Sequence, residues 1–384
     1  MLYYLSQWIL EWSAGTSHEA ALSPLRIFRY ITFRSAGAAV SALVLSWCLG
    51  PIFIQWLKQL KFGQDYQDKA ETGGQLHARI LSKRGTPTMG GLLIAVVLDL
   101  TALLWTQWNA LIQLTLLSVV VLCGLGFYDD YAKITEQSGK GTTSLVKLCV
   151  QSALGIFIAF YLWSLPSTSS LISEVMVPFY KHPVAVGLTG TVIGIILTTL
   201  TIVGSSNAVN LTDGLDGLAC GCTTIVAFVF LVLTYVAGNA KTAAYLQIPH
   251  VEGAGELTVF CAAIIGAGLG FLWFNCHPAQ VFMGDTGSLT LGGVIGIIAV
   301  LIHQPLVLVI AGAVFVAEAV SVMIQTGWFK YTKRRYGTGQ RVFLMAPLHH
   351  HFEKKGWHES RVVTRFYILS LLWAVVALST LKIR

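Results

Sequence analysis

Two adjacent carboxylates, Asp129 and Asp130, follow a long apolar run that extends from residue 110 to residue 127. A charged side chain at the boundary between hydrocarbon and water is costly unless it is paired, hydrated or bound to a metal. Lys133 lies four residues after Asp129 and shares its face if the helix continues, whereas Asp130 points about 100° away. We therefore expect both carboxylates to meet one ligand only at a helix end or a break. A solvated helix end with an ion pair is the alternative.

A second polar cluster has the sequence NAVNLTDGLDG at residues 207–217. An amide or a carboxylate recurs every third residue, at Asn207, Asn210, Asp213 and Asp216. On a tightened helical turn these side chains would line one side and offer themselves to a polar ligand. The ligand spacing of an EF-hand is absent. Turn formation by the Asp-Gly pairs is the structural alternative.

A third cluster, NCHPAQVFMGDTGS at residues 275–288, contains a single acid, Asp285. Mg²⁺ prefers oxygen ligands and takes one or two carboxylates together with substrate phosphates. Asp285 is therefore a candidate metal ligand, and a helix cap is the alternative. Phe282 could stack on a base or anchor in the membrane interface.

Three consecutive histidines, His349, His350 and His351, follow a basic run at residues 330–335. Consecutive positions on a regular helix cannot all bind one metal, so phosphate contact and proton transfer suit them better. Anionic lipid headgroups account for the basic run. Earlier in the chain, Lys83 precedes a segment rich in Thr, Pro and Gly, whose backbone N–H groups could face an anion. A basic flank before a span is the alternative there.

The elements that position these clusters are apolar helices. The 384 residues are 55% hydrophobic and 11% charged, with a mean hydropathy of +0.68. Apolar runs of about 18 residues or more recur, which predicts an all-α polytopic membrane protein rather than a β-barrel. We expect an interfacial segment at residues 1–30 and a single ten-span domain at residues 31–384. The predicted spans are residues 31–57, 89–106, 110–127, 148–165, 185–203, 217–237, 257–275, 289–302, 306–326 and 363–381.

Two of these spans carry signs of irregularity. The eighth is short, and Gly327 with its polar neighbours would allow a break in the ninth. Ten spans put both termini on one side and five loops on the other. The five-loop side carries 17 Lys and Arg residues against seven on the opposite side. The five-loop side, with nearly every polar cluster, is therefore predicted to face the cytoplasm, although Arg26, Arg29 and Arg34 run against this rule.

The same charge pattern bears on partners. The formal net charge of +7 indicates membrane topology rather than nucleic-acid binding. The seven cysteines lie mostly in apolar runs without a CxxC pair, so neither a disulfide framework nor a zinc site is predicted. The oligomeric state stays open, with a homodimer as one candidate.

In their order along the chain, these motifs resemble the polyprenyl-phosphate N-acetylhexosamine-1-phosphate transferases. The resemblance covers essentially the whole chain and is weakest before residue 30. The sequence PLHHHFE at residues 347–353 is similar to the bacterial muramyl branch of that family. The resemblance implies transfer of phospho-MurNAc-pentapeptide from UDP-MurNAc-pentapeptide to undecaprenyl phosphate. Lipid I and UMP would be the products, Mg²⁺ the cofactor, and the bacterial inner membrane the location.

The resemblance also implies roles for individual residues. Asp285 would be the main Mg²⁺ ligand, with Asp129 and Asp130 close to the metal and the lipid phosphate. His349 and His350 would contact the substrate or diphosphate. Phosphate charge would be steadied by Lys133 and Lys147, and His351 would join the substrate contacts or stabilise the loop. The residues implied for the nucleotide and diphosphate are Lys83, Thr88, Asn210, Asp213, Asp216, Asn275 and Phe282.

For the mechanism we predict direct in-line attack of the lipid phosphate on the β-phosphate, with Asp129 deprotonating or positioning the nucleophile. A covalent phospho-enzyme on an aspartate is the rival. Two other functions stay open at this point: a sibling transferase that acts on UDP-GlcNAc, and a transporter with an ion site at the membrane midplane.

Overall fold

The computed structural model describes residues 1–60, 85–135 and 141–382. These residues form helices, with one isolated antiparallel bridge between Val175 and Ala185. The predicted all-α fold is confirmed. The helices that position the site are α1 (Leu2–Ser13), α2 (Ile31–Gln59), α3 (Gly91–Trp105), α4 (Ala110–Thr135), α5 (Ser144–Ser164), α6 (Gly187–Thr212), α7 (Leu218–Ala237), α8 (Gly255–Asn275), α9 (Gly284–Leu301), α10 (Pro305–Ala311), α11 (Ala313–Tyr336), α12 (Leu348–Lys354) and α13 (Glu359–Ser379). Short helical segments at Glu19–Leu22, Ser23–Arg29, Ser170–Ser173 and Ala240–Leu246 lie between them.

Each of the ten predicted apolar runs falls on helix. Among the described residues, eight helices are long and apolar enough to cross a membrane, and α10 with α11 makes a ninth if the bent pair is one span. Helix α3 is apolar but has only 15 residues, about 22 Å of rise. Its central residues Val97 and Leu98 are fully buried, so neighbouring helices enclose the middle of this short helix.

One detail of the predicted spans is wrong, and the structure adds a second detail that the sequence left open. The eighth run is neither short nor irregular, because α9 is continuous and begins at Gly284, ahead of the predicted start. The polar residues of its first turn concealed that start. The ninth run breaks at Gly312, where α10 and α11 meet at 84°. Gly327, where the sequence would allow a break, lies inside α11.

Helix α9 lies at the centre of the bundle and packs closely on α3 and α4. A Cβ atom at Gly91 would overlap the backbone of Gly287, and one at Gly126 would overlap the backbone of Asp285 and Thr286. The two glycines therefore let α3 and α4 approach the first turn of α9 at backbone distance. This approach brings Asp285 to the end of α4.

The opposite end of the bundle contains a buried ion pair. Arg34 Nη1 and Nη2 donate to the two oxygens of the Glu256 carboxylate, at 2.5 and 2.7 Å. Both side chains are almost fully buried. The backbone N–H of Gln107 donates to the same carboxylate. Arg34 is thus neutralised inside the protein, so its charge carries little weight in the loop-charge rule. Helix α1 packs at this end, and its Trp8 and Trp12 are 63% and 64% exposed.

Candidate active site

Three carboxylates converge where α4 ends and α9 begins. Each of Asp129, Asp130 and Asp285 offers an oxygen, and these atoms lie within 4.8 Å of one another. We call these residues the carboxylate cluster. Helix α4 continues through Asp129 and Asp130 to Thr135, so the two adjacent carboxylates lie within its last two turns. The cluster forms because Asp285 approaches from a different helix.

Two lysines join the cluster into one charged network. Lys133 Nζ lies 2.6 Å from Asp129 Oδ2 and 3.1 Å from Asp285 Oδ1. Lys147 Nζ lies 2.8 Å from Asp129 Oδ2 and 2.5 Å from Asp285 Oδ2. Both lysines bridge the same two carboxylates, Lys133 from α4 and Lys147 from the neighbouring helix α5. The ion pair four residues apart that the sequence indicated is present, within a larger network.

Asp130 plays a different part from its neighbour. Its Oδ1 accepts from the backbone N–H of Asp285 at 3.2 Å, and its Oδ2 accepts from the N–H and hydroxyl of Thr286 at 3.0 and 2.8 Å. These N–H groups belong to the first turn of α9, which has no partners within its own helix for them. Asp130 therefore caps α9 from another helix and fixes Asp285 in place. The positive end of the helix dipole favours a carboxylate at this position.

Thr142 holds the remaining oxygen of Asp129. Its backbone N–H donates to Asp129 Oδ1 at 2.9 Å, and its hydroxyl donates to the same atom. Asp129 is fully buried, and its two oxygens contact these donors and the two lysines. Sequence reasoning missed Thr142 and Thr286, because a threonine beside a span carries no signal of its own.

The recurring amides and carboxylates of residues 207–217 do not share one tightened helical turn. Asn207 donates to Gln151 of α5 at 2.7 Å, and Asn210 donates to Ser288 of α9 at 3.1 Å. Asp213 follows the last residue of α6, and Asp216 lies in the turn to α7. The helix ends at Thr212, so the spacing of three does not continue as one turn.

Asp216 belongs to a second group of ionisable side chains. Its Oδ2 lies 3.1 Å from His277 Nδ1, and the Glu359 Oε2 lies 3.3 Å from the same nitrogen. Ligand atoms of the three residues lie within 4.8 Å of one another, a spacing that could also hold a metal ion. Nearby, the amide of Asn275 accepts from the Gly217 N–H and donates to the Val281 carbonyl. His277 and Glu359 were not singled out from the sequence.

The three histidines occupy α12 and have separate partners. His349 is buried, and its Nδ1 and backbone N–H both lie close to Glu318 Oε1, at 3.3 and 3.1 Å. His350 Nδ1 lies 2.8 Å from Glu353 Oε2. Glu318 of α11 is thus the partner of His349.

His351 has its partner in the segment before α12. Its Nδ1 accepts from the Leu344 N–H at 3.1 Å. Partial burial, aided by the nearby Lys355 ammonium, lowers the pKa of His351 below its usual value of 6.5. A lowered pKa favours the neutral ring that this acceptor role needs. The geometry fits a residue that stabilises the loop.

Three further candidates from the sequence are Thr88, Phe282 and Lys83. Thr88 is buried, and its hydroxyl lies beside Gly284, next to the carboxylate cluster. Phe282 is joined to the segment before α3, since its N–H donates to the Pro87 carbonyl and its carbonyl accepts from the Gly90 N–H. Lys83 lies outside the described residues.

An apolar groove runs between α6 and the bent pair α10–α11. It has a volume of about 300 Å³. Its lining includes Leu200 and Gly204 of α6, and Leu308, Phe315 and Met323 of the bent pair. The break at Gly312 opens this groove, because the two helical pieces diverge there.

The model of glycosyl transferase family 4 matches residues 112–303, and the phospho-N-acetylmuramoyl-pentapeptide-transferase signature 1 matches residues 83–94. A phospho-N-acetylmuramoyl-pentapeptide-transferase from Methylacidiphilum infernorum is 48% identical over 385 residues, with 100% of each chain covered. Proteins of the same name from Opitutus terrae and Syntrophus aciditrophicus are 49% and 47% identical, with 94% of this chain and 96% of each relative covered.

Proposed function

Because this chain belongs to the phospho-N-acetylmuramoyl-pentapeptide-transferase family, we propose that it transfers phospho-MurNAc-pentapeptide from UDP-MurNAc-pentapeptide to undecaprenyl phosphate. Lipid I and UMP are the products, and the reaction serves peptidoglycan synthesis. The observation that carries this proposal is the carboxylate cluster with Lys133 and Lys147 at one end of an apolar bundle. Phosphate groups can be bound there while a lipid chain stays among the helices.

The donor set of the cluster fits Mg²⁺. All three ligand candidates offer hard carboxylate oxygens, which Mg²⁺ prefers. By formal count the three carboxylates and two ammonium groups carry one negative charge, which would repel phosphates, and a divalent cation reverses that sign. Asp285 is 15% exposed and Asp129 faces it across the lysines, so these two would hold the ion, while Asp130 keeps α9 in place. When bound, Mg²⁺ neutralises phosphate charge and polarises the phosphoryl oxygens.

For the mechanism we propose direct attack. An oxygen of the lipid phosphate forms a bond to the β-phosphorus, the bond from that phosphorus to the bridging oxygen breaks, and UMP leaves with the electron pair. Lys133 and Lys147 stabilise the charge that develops on the transferred group. Asp129 accepts from Thr142 and contacts both ammonium groups, which supports a positioning role over proton removal. Trapping a phospho-sugar on the protein without lipid acceptor would instead establish a covalent intermediate.

The apolar groove is the proposed site of the isoprenoid tail. Its walls are aliphatic and aromatic, and α6 leads from it to Asn210 beside the first turn of α9. A side chain at Gly204 would project into open space. We expect Gly204→Phe to raise the KM for undecaprenyl phosphate and to leave the KM for UDP-MurNAc-pentapeptide unchanged. A rise in both constants would argue against this location of the tail.

The proposed location is the bacterial inner membrane, with the carboxylate cluster facing the cytoplasm and residues 1–30 in the opposite interface. Cys276 is exposed in the loop between α8 and α9, at the end that carries the cluster. In a variant that keeps Cys276 as its only cysteine, an impermeant maleimide should label inverted vesicles and spare intact spheroplasts. Labelling of spheroplasts would reverse the orientation.

The decisive experiment measures UMP release by purified protein in detergent, with UDP-MurNAc-pentapeptide and Mg²⁺, with and without undecaprenyl phosphate. Asp285→Asn is measured alongside, with its folding checked by thermal unfolding. We expect release that needs both lipid and metal and that falls about 100- to 1,000-fold in the variant. UDP-GlcNAc should be inert, and its use in place of the muramyl substrate would point to the sibling transferase. If both nucleotides are inert, the transferase assignment fails.

A further inference from the structure

The turn between α6 and α7 is clamped by α13 and by the loop between α8 and α9. From α13, Glu359 Oε1 accepts from the Asp216 N–H at 2.8 Å, and the Tyr367 hydroxyl donates to the Gly217 carbonyl at 2.7 Å. From the end of α8, where this loop begins, Asn275 Oδ1 accepts from the Gly217 N–H at 3.1 Å. Gly217 has φ +80°, a conformation that suits a residue without a Cβ atom. The turn therefore has one conformation fixed from two directions.

The side chain of Asp216 is fixed by the same neighbours. His277 Nδ1 lies between the Asp216 and Glu359 carboxylates, at 3.1 and 3.3 Å, and the Ala279 N–H donates to Asp216 Oδ2 at 3.2 Å. Asp216 and Glu359 are 5% and 3% exposed, whereas His277 is exposed. Buried carboxylates depend strongly on such partners. The orientation of Asp216 is thus tied to Glu359 both directly and through His277.

We propose that Glu359 is a positioning residue for the nucleotide. It acts through Asp216 and His277, fixing the turn of residues 213–217 in the conformation that binds the uridine diphosphate part of the substrate. This inference rests on the proposed function and on the family resemblance, which implies that Asp213 and Asp216 contribute to nucleotide binding. Glu359 lies behind the turn, with one oxygen on the Asp216 N–H and the other beside His277.

The chemistry of Glu359→Gln makes the test specific. Glutamine keeps an oxygen for the Asp216 N–H and nearly the same volume, and it removes the negative charge beside His277. Losing a charge-assisted contact should weaken binding of UMP about tenfold. The KM for UDP-MurNAc-pentapeptide should rise by a similar factor, with kcat within about twofold and the KM for undecaprenyl phosphate unchanged. Glu252→Gln, a charge change at an exposed residue of the opposite end, should behave as wild type.

UMP affinity is measured by calorimetry on the purified full chain in detergent, and thermal unfolding is recorded for every variant. His277→Ala removes the shared partner of the two carboxylates at an exposed position, so it tests the same network if Glu359→Gln folds poorly. It should also weaken UMP binding. Because Glu359 acts through Asp216, the double variant Asp216→Asn/Glu359→Gln should bind UMP no more weakly than Asp216→Asn alone.

The outcomes separate this inference from the proposed reaction. Unchanged UMP affinity in Glu359→Gln and His277→Ala, or losses that add in the double variant, would overturn the positioning role. A lower kcat with unchanged KM, together with a lower unfolding temperature, would reduce Glu359 to a structural residue. If wild type binds UMP without releasing it from UDP-MurNAc-pentapeptide, the transferase proposal fails while the binding comparison still decides on Glu359. If wild type does not bind UMP, the positioning role falls.

Discussion

Replacing Thr142 by valine tests whether the orientation of Asp129 matters for transfer. The hydroxyl and the backbone N–H of Thr142 both donate to Asp129 Oδ1. Valine has nearly the same shape and retains the N–H, so the substitution removes one hydrogen bond and little else. Asp129 Oδ2 keeps its contacts to Lys133 and Lys147 at 2.6 and 2.8 Å.

The expected loss of kcat/KM in Thr142→Val follows from the negative charge of the acceptor, Asp129. A hydrogen bond to a charged group contributes about 1.5–3 kcal/mol, and each 1.4 kcal/mol corresponds to about a tenfold change in rate. The full loss would therefore lower kcat/KM about 10- to 150-fold. Because the N–H and both lysines remain, we expect the lower end, about tenfold. Folding should be nearly unaffected, since Thr142 is only partly buried.

The assay is initial-rate UMP release across a Mg²⁺ titration, with thermal unfolding of each preparation. Thr142→Ser is the matched control, because serine restores the donor while lacking the methyl group. Serine should lie within about threefold of wild type and well above valine. Activity of the valine variant within twofold of wild type, or equal losses for serine and valine, would refute the reasoning that the hydroxyl orients Asp129.

Two further predictions concern packing and buried charge. Gly126→Ala should lower both activity and unfolding temperature, because its Cβ atom would overlap the backbone of the first turn of α9; Gly124→Ala, two residues earlier with open space around it, should be neutral in both assays. Equal behaviour of the two alanines would contradict the close helix contact. Arg34→Met should destabilise the protein by about 3–5 kcal/mol by leaving Glu256 buried without its partner, and Arg34→Met/Glu256→Met should recover much of that loss in thermal unfolding. A double variant less stable than Arg34→Met alone would contradict this reasoning, because the loss would then not come from an unpaired Glu256.

Much of the architecture follows from the sequence because the lipid environment simplifies the problem. Helices must satisfy their own backbone hydrogen bonds within the membrane, so long apolar runs predict spans with little dependence on their neighbours. The polar clusters lie between those runs, so the sequence also indicates which end of the bundle carries the candidate site. Asp129 and Lys133 four residues apart form the expected ion pair, because that contact depends only on local helix geometry. The errors arose where polar or small residues begin or interrupt a helix, as at Gly284 and Gly312.

Only the tertiary structure decided which side chains meet. Asp285 lies more than 150 residues from Asp130, and their contact depends on glycines that let α9 approach α4. Glu359 looks in sequence like an ordinary acid at a helix start, and only the packing of α13 places it on the Asp216 N–H. The sequence by itself determined the membrane fold and the chemical types gathered at one end, because these depend on composition and local period. The partners and roles depend on backbone approach between distant segments, which no local pattern encodes.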